Sequence, residues 1–213
     1  MNNGFSYHVL STCGQISQKW MSEEGFVHNS VDSFHIRDKN ATAAQLLAYV
    51  DELLKKGLPA SKLVINDRVD VALSRDLSVQ LAYHSLPLKE VKAIHPTIKA
   101  GVSVHSAEEA EQAAKDGADY VIFGHIFETE SKPGVEPRGL ETLRSVVQAC
   151  SVPVIAIGGI KPSHIPLIQQ TGAAGAALLS GVMQAEEPLK AIEDYRREEL
   201  ECTSRMSSSL AQE

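Results

Sequence analysis

Short apolar runs alternate with amphipathic segments along most of the chain. Each run is followed by polar or glycine residues, and the segments between the runs repeat apolar side chains at helical spacing. The predicted strands are 7–10, 33–37, 62–65, 78–81, 98–104, 120–123, 152–157 and 175–179. The predicted helices cover 15–26, 43–56, 69–73, 107–116, 140–150, 165–170 and 188–200, with one more opened by Pro87.

Two of these helices are preceded by a residue that is expected to cap the helix N-terminus. Thr42 precedes the helix that contains Leu46 and Val50 and is expected to cap it. Ser106 has Glu109 three residues later, which is the pattern of a capping box.

Eight strand–helix units in a chain of 213 residues predict a single (β/α)8 TIM barrel. The alternative is an open, doubly wound sheet, which also alternates strands and helices. Eight regular units, without a Gly-x-Gly-x-x-Gly pattern after the first strand, favour the barrel. We expect the barrel to span residues 1–201 and residues 202–213 to form a polar, flexible tail.

Composition narrows the functional classes. The formal charge of −7 and the lack of Lys/Arg clusters argue against a nucleic-acid partner. No apolar run is long enough for a membrane span, and the first residues lack the pattern of a signal peptide. Three widely spaced cysteines indicate a reducing compartment, so we expect a cytoplasmic protein. A homo-oligomer is expected because small barrels often associate.

In a barrel, polar residues that follow the strands converge on one mouth. Gly158 and Gly159 follow the seventh strand, and Ser180 and Gly181 follow the eighth. Barrels often bind phosphate with these two loops, because glycine lets backbone N–H groups approach an anion. The pairs therefore predict a phosphate site, although they could instead only form tight turns.

Other strand ends supply candidate substrate contacts. Arg37 ends the second strand and Lys132 follows the sixth, so both could bind an anion, or both could be solvated surface cations. Asn66 and Asp67 end the third strand and could hold a metal or polar substrate groups. Residues 82–85 after the fourth strand offer no second carboxylate, so no metal site is expected, and Asp67 could simply cap a helix.

His125 is the first polar residue after the apolar strand 120–123. A histidine titrates near neutrality and can act as a general acid or base, so His125 is the candidate catalytic residue. The alternative is a histidine that is hydrogen-bonded to a backbone carbonyl at the barrel rim. Ser103, near the end of strand five, and Thr129, after strand six, join the candidate binding residues. Histidines 8, 28, 35, 95 and 164 are interpreted as structural or exposed.

Several segments, in order, resemble the thiamin phosphate synthase superfamily over nearly the whole chain. They are Phe34-His35-Ile36-Arg37-Asp38-Lys39, the run from Leu63 to Leu73, Gly101-Val102-Ser103-Val104-His105-Ser106, Gly117-Ala118-Asp119-Tyr120-Val121 and Ile155-Ala156-Ile157-Gly158-Gly159-Ile160.

Within that superfamily the chain is most similar to the TenI-type thiazole tautomerases. His125 stands where the synthase pattern has proline and the tautomerases have their catalytic histidine. The synthases also carry a magnesium-binding carboxylate after the fourth strand, where this chain has Ala82-Tyr83-His84-Ser85. Asp67 matches the other metal carboxylate.

This resemblance implies a cofactor-independent isomerase of thiamin biosynthesis. Its substrate would be the dihydro-thiazole carboxylate phosphate released by thiazole synthase, which is a possible pathway partner. His125 would shift a proton to give the aromatic thiazole, and Arg37, Asn66 and Lys132 would position the substrate. The alternatives are a thiamin phosphate synthase, for which we expect essentially no activity, or a non-catalytic regulator that binds a pathway phosphate.

Overall fold

The chain forms a closed parallel barrel in a computed structural model that describes residues 4–11 and 30–210, with side chains to residue 200. The strands are β1 (Ser6–Leu10), β2 (Ser33–Ile36), β3 (Leu63–Asn66), β4 (Ser78–Leu81), β5 (Ala100–Val104), β6 (Tyr120–Gly124), β7 (Val154–Ile157) and β8 (Gly175–Leu178). The described helices are α1 (Ala43–Lys55), α2 (Val69–Ser74), α3 (Leu88–Ile94), α4 (Ala107–Lys115), α5 (Gly139–Ala149), α6 (Ile165–Gln169), α7 (Ser180–Met183) and α8 (Pro188–Leu210). Short 3-10 turns span Ala60–Lys62 and Pro162–His164.

Each strand pairs in parallel with the next, and β8 pairs with β1. The closing register sets Tyr7 opposite Ala176 and Val9 opposite Leu178. The predicted (β/α)8 TIM barrel is therefore confirmed. The open sheet is excluded, because an open sheet has two edge strands that each pair on one side only, whereas every strand here pairs on both sides.

Alternate side chains of each strand face two different environments. The outward set packs under the helices and forms the larger core, with Tyr7, Phe34 and Phe123 among its largest buried members. A smaller apolar cluster of Leu10, Ile122, Ile155 and Ala177 lies apart from it. We assign the smaller cluster to the barrel interior, because the period of two along a strand sends neighbouring side chains to opposite faces.

The N-terminal cap of α1 forms as predicted, whereas the cap of α4 differs from the prediction. Thr42 Oγ1 accepts from Gln45 N, and Gln45 Oε1 accepts from Thr42 N, which is a complete capping box. Ser106 Oγ accepts from Glu109 N, but Glu109 Oε2 accepts from His105 N. The predicted box at Ser106 is therefore only half formed, because the glutamate reaches one residue further back.

Most element boundaries fall within two residues of their predicted places, and the exceptions lie at the chain ends. Helix α8 continues to Leu210 instead of ending at Leu200, so it includes most of the segment that we assigned to the tail. Helix α7 was not predicted. The helix expected over 15–26 lies outside the described residues. Among the described helices, none combines the length and apolar character needed to cross a bilayer.

Candidate active site at the barrel mouth

The ends of β2 to β5 bring one group of polar side chains together. His35 in β2 contacts Asn66 at the end of β3, with 3.2 Å between His35 Nδ1 and Asn66 Oδ1. Gln80 in β4 donates from Nε2 to Ser103 Oγ in β5 at 3.1 Å. The predicted contacts Asn66 and Ser103 are therefore both held by side chains from the preceding strand.

Arg37 lies beside this group at the end of β2. Its backbone N–H donates to Ser11 Oγ at 2.9 Å, which ties the end of β2 to the end of β1. Its half-buried side chain has no hydrogen bond or ion pair within the part of the chain that the structure describes. A half-buried guanidinium without a carboxylate partner is available to an anionic ligand.

Asp67 is held in a left-handed conformation with φ of 65° directly after β3. Its Oδ1 accepts from Ser85 Oγ at 2.5 Å, and its Oδ2 lies 3.1 Å from His84 Nε2. Ser85 Oγ in turn accepts from Ala82 N at 2.8 Å. Asp67 is not the N-cap of α2, since Arg68 occupies that position, and its carboxylate contacts Ser85 and His84 instead.

This arrangement does not fit the two-carboxylate magnesium site that the resemblance attributes to the synthases. Both oxygens of Asp67 already contact Ser85 and His84, which are side chains of the segment after β4. No group of three His, Cys, Asp or Glu residues that could hold a metal occurs among the described residues. Magnesium is usually held by one or two carboxylates together with substrate phosphates and water, and residues 82–85 offer no second carboxylate.

His125 lies at the end of β6, where the structure buries it to 5% exposure. Its Nε2 lies 3.2 Å from the carbonyl oxygen of Val135, while its Nδ1 is buried and has no hydrogen-bond partner among the residues that the structure describes. Because a carbonyl can only accept, Nε2 carries the proton. This geometry matches the alternative left open for this residue, a rim histidine bonded to a backbone carbonyl.

The loop after β6 folds back against the barrel through backbone bonds. Arg138 donates from N to His125 O at 2.9 Å and from Nε to Gly124 O at 3.0 Å. Ile126 N donates to Ile157 O, and Phe127 N donates to Gly158 O. Both ends of this loop are therefore anchored to the strand ends of β6 and β7.

Gly158 and Gly159 lie directly under that loop with φ of 103° and 65°. A Cβ at Gly158 would overlap the Cβ of His125, and a Cβ at Gly159 would overlap the carbonyl oxygen of Glu128. The glycines are thus required for the close approach of two loops. Their predicted role in phosphate binding remains a prediction.

Thr129 and Lys132 belong to the outer part of the loop after β6. Thr129 makes a turn in which Lys132 N donates to its carbonyl at 3.0 Å and Ser131 N donates to its hydroxyl at 3.4 Å. Lys132 is exposed and has no acidic partner within the described part of the chain. Its role as a substrate contact remains a prediction.

Ser180 and Gly181 form the first turn of α7 directly after β8. Both are exposed, and a Cβ at Gly181 would lie 2.5 Å from Tyr195 Oη. Tyr195 Oη also donates to Ile160 O at 2.8 Å. One α8 side chain therefore fixes the loops after β7 and β8 relative to each other.

Sequence reasoning missed three polar side chains inside the barrel, which are His8, His35 and Gln80. His8 and His35 are buried neighbours, with 2.9 Å between His8 Nδ1 and His35 Nε2. The rings of His8 and Tyr120 lie 5.1 Å apart although β1 and β6 are not adjacent, so both side chains point into the interior. The alternation of Tyr7-His8-Val9 in β1, of Phe34-His35-Ile36 in β2 and of Val79-Gln80-Leu81 in β4 was the signal available to find them.

The sequence is similar to those of a known protein family. The sequence matches the family described as Thiamine monophosphate synthase over residues 13–182. The chain belongs to this family. It is 38% identical over 167 residues to the thiamine-phosphate synthase of Caldivirga maquilingensis, covering 78% of this chain and 82% of that protein. It is 43% identical over 134 residues to the thiamine-phosphate synthase of Pyrococcus furiosus, covering 62% and 65%.

Solved structures agree with the sequence relatives. A thiamine phosphate pyrophosphorylase from Pyrococcus furiosus superposes with a TM-score of 0.79 at 32% identity, covering 94% of this chain and 98% of that one. A 3-hexulose-6-phosphate synthase reaches a TM-score of 0.67 at 18% identity, which shows a shared fold only.

These comparisons overturn the tautomerase hypothesis. Curated relatives at 37–43% identity are named thiamine-phosphate synthase, which is a transferase and not an isomerase. The hypothesis relied on His125 and on the missing carboxylate after β4. His125 is buried and contacts the Val135 carbonyl, which is the structural role left open for it, and its predicted catalytic role remains untested.

Proposed function

We propose that the chain is a thiamine-phosphate synthase. It would transfer the hydroxymethylpyrimidine group from its pyrophosphate ester to the ring nitrogen of a thiazole phosphate. The bond between the methylene carbon and the pyrophosphate oxygen breaks, and a bond from that carbon to the thiazole nitrogen forms. Pyrophosphate leaves with the electron pair, and thiamin phosphate is the other product.

One observation carries this proposal. The similarity to proteins named thiamine-phosphate synthase extends over 82% of the Caldivirga maquilingensis protein, and the family match over residues 13–182 spans the ends of strands β2 to β8. A partial match limited to the helices would support the fold without the site. The continuous match supports a common reaction.

The charges at the mouth suit such substrates. Both substrates and the departing pyrophosphate carry negative phosphate oxygens, which bind to guanidinium, ammonium and amide N–H groups. Arg37, Asn66 and Lys132 offer these groups, and we propose that they bind the phosphoryl oxygens. Gly158 and Gly159 would offer backbone N–H groups on the opposite side of the mouth.

The residues after β4 set this chain apart from a two-carboxylate metal site. Because Asp67 contacts Ser85 and His84, we assign no step of the reaction to a metal held by protein carboxylates. We propose that His125 anchors the loop after β6 through its bond to Val135, and that it transfers no proton.

The test is direct synthesis of thiamin phosphate. The purified chain is incubated with thiazole phosphate, hydroxymethylpyrimidine pyrophosphate and Mg²⁺, and both products are followed by ³¹P NMR and mass spectrometry. Thiamin phosphate and pyrophosphate should appear in equal amounts. Their absence under conditions in which the Pyrococcus furiosus enzyme is active would refute the proposal.

A matched pair of variants tests the assignment of the cation. Loss of a charge-assisted hydrogen bond costs about 1.5–3 kcal/mol, so Arg37→Gln should raise KM for the pyrophosphate ester about 10- to 100-fold. Arg144→Gln removes a guanidinium from the exposed side of α5, where it pairs with Glu141. KM should be unchanged in this control. Equal effects of the two variants would remove Arg37 from the site.

A further inference from the structure

Three hydrogen-bonded polar side chains form a row across the first three strands. His8 of β1 contacts His35 of β2, with 2.9 Å between Nδ1 and Nε2. His35 Nδ1 lies 3.2 Å from Asn66 Oδ1 at the end of β3. His8 is 5% exposed and His35 is 0% exposed, whereas Asn66 is half-buried. The row therefore runs from the interior of the barrel to its mouth.

The hydrogen bonds of this row determine which ring nitrogen of His35 and of His8 carries the proton. Burial lowers the pKa of His8 to about 4 and that of His35 well below its ordinary value, so both rings are neutral at pH 7. The amide oxygen of Asn66 can only accept, so His35 carries its proton on Nδ1. His35 Nε2 is then an acceptor, and His8 must donate from Nδ1.

This direction decides which atoms Asn66 presents to the mouth. Its side-chain oxygen is held by His35, and its amide nitrogen has no acceptor among the described residues. Two N–H donors therefore remain at the end of β3, beside the half-buried Arg37 at the end of β2. If the row ran the other way, Asn66 would present its oxygen, which repels an anion.

We propose that His35, supported by His8, is a positioning residue that fixes the amide of Asn66 so that its N–H groups donate to a phosphate or pyrophosphate oxygen of the substrate. The ligand named here rests on the proposed function, whereas the direction of the row does not. His35 itself touches no substrate, and it acts only by choosing between the two orientations of one amide.

The first experiment measures the proton positions in the absence of substrate. Two-dimensional ¹⁵N–¹H NMR of the histidine rings at pH 7, assigned with His8→Gln and His35→Asn, distinguishes a protonated from an unprotonated ring nitrogen. His35 and His8 should both be protonated on Nδ1 and unprotonated on Nε2. Protonation of His35 on Nε2 would mean the reverse direction and would overturn the inference.

The second experiment uses inorganic pyrophosphate as the probe, with binding measured by calorimetry. Asn66→Asp keeps an acceptor for His35 but replaces the two N–H donors with a carboxylate oxygen, so Kd should rise at least about tenfold. His35→Leu leaves the amide free to turn, and Kd and the KM of the pyrophosphate ester should rise about fivefold to tenfold. Unchanged values in both variants would overturn the inference.

A conservative variant separates positioning from simple loss of packing. In His35→Asn the amide nitrogen stands two bonds from Cβ, as Nδ1 does in histidine, so it can donate to Asn66 Oδ1. This variant leaves a larger void than His35→Leu, yet its Kd should stay within about threefold of the wild-type value. If both variants lose affinity in proportion to their loss of melting temperature, His35 has only a structural role.

The outcomes for this inference and for the proposed function are distinguishable. A wild-type protein that binds pyrophosphate with this pattern but forms no thiamin phosphate would refute the function and support the positioning role. An active wild-type enzyme whose Asn66→Asp and His35→Leu variants keep its KM and Kd would support the proposed function and refute the positioning role. A wild-type protein that does not bind pyrophosphate would also overturn the positioning role.

Discussion

Gly158 is the position at which a single added methyl group should be most damaging to the mouth. It follows β7 with φ of 103°, and its carbonyl accepts from Phe127 N at 3.0 Å. A Cβ there would overlap the Cβ of His125 and lie 2.7 Å from its Cα. Gly158→Ala therefore combines a strained backbone with an overlap against the main chain, which cannot rotate away.

Two terms set the size of the effect. A non-glycine residue in such a backbone conformation costs about 1–3 kcal/mol. Overpacking against a fixed neighbour costs about 1–3 kcal/mol more. The sum is about 2–6 kcal/mol, and a domain of this size loses about 2–4 °C of melting temperature per kcal/mol, so a loss of about 4–24 °C is expected.

The control is a glycine that has the backbone strain without the overlap. Gly134 has φ of 72°, and a Cβ added there meets nothing within 4 Å. Gly134→Ala should cost about 1–2 kcal/mol. Both variants are compared with wild type by urea unfolding and by calorimetry. If Gly158→Ala loses no more than Gly134→Ala, the packing of the loop after β6 against β7 is refuted.

A double-mutant cycle isolates the overlap itself. His125→Gly removes the Cβ that the new methyl group would meet, although it destabilises the chain on its own. In the double variant with Gly158→Ala, part of the overlap term disappears, so the two losses should sum to more than the observed loss by about 1 kcal/mol or more. Strict additivity would contradict the contact.

Three further predictions concern the interior and the first described helix. The hydroxyl of Tyr120 is buried and has no hydrogen-bond partner within the described part of the chain, so Tyr120→Phe should leave stability equal or raise it by about 1 kcal/mol, and a loss above that value by urea unfolding would contradict this. His8 and His35 have pKa values lowered by burial, so the unfolded chain binds more protons below pH 6.5 and stability should fall as the pH drops. For His8, with a pKa of about 4 in the folded chain, the loss from pH 6.5 to pH 4 should reach about 3 kcal/mol, measured by urea unfolding against His8→Gln, which should fall less steeply. Thr42→Ala removes the hydroxyl that accepts from Gln45 N, and should lower stability by about 1 kcal/mol in a thermal scan, whereas Thr42→Ser should retain most of it.

The barrel was predictable from sequence because its signals are local. The apolar runs at 78–81 and 120–123 and the cap at Thr42 each depend on a few neighbouring residues. The mouth was partly predictable for the same reason, since Asn66 and Ser103 are polar residues at strand ends. The tautomerase hypothesis was wrong because it weighed two local differences, His125 and the missing carboxylate after β4, above the similarity of the whole chain to proteins named thiamine-phosphate synthase. The contact of His125 with the carbonyl of Val135 was not predictable either, since Val135 lies ten residues away across a loop.

The sequence by itself determined the eight strands and, through their period of two, which side chains could face inward. It did not determine which of those side chains meet. His8 contacts Tyr120 across the barrel because closure brings β1 and β6 face to face. The row from His8 through His35 to Asn66 likewise exists because three strands pair in one register. Such contacts depend on the angle and stagger at which the sheet closes, which are properties of all eight strands together and of no single segment.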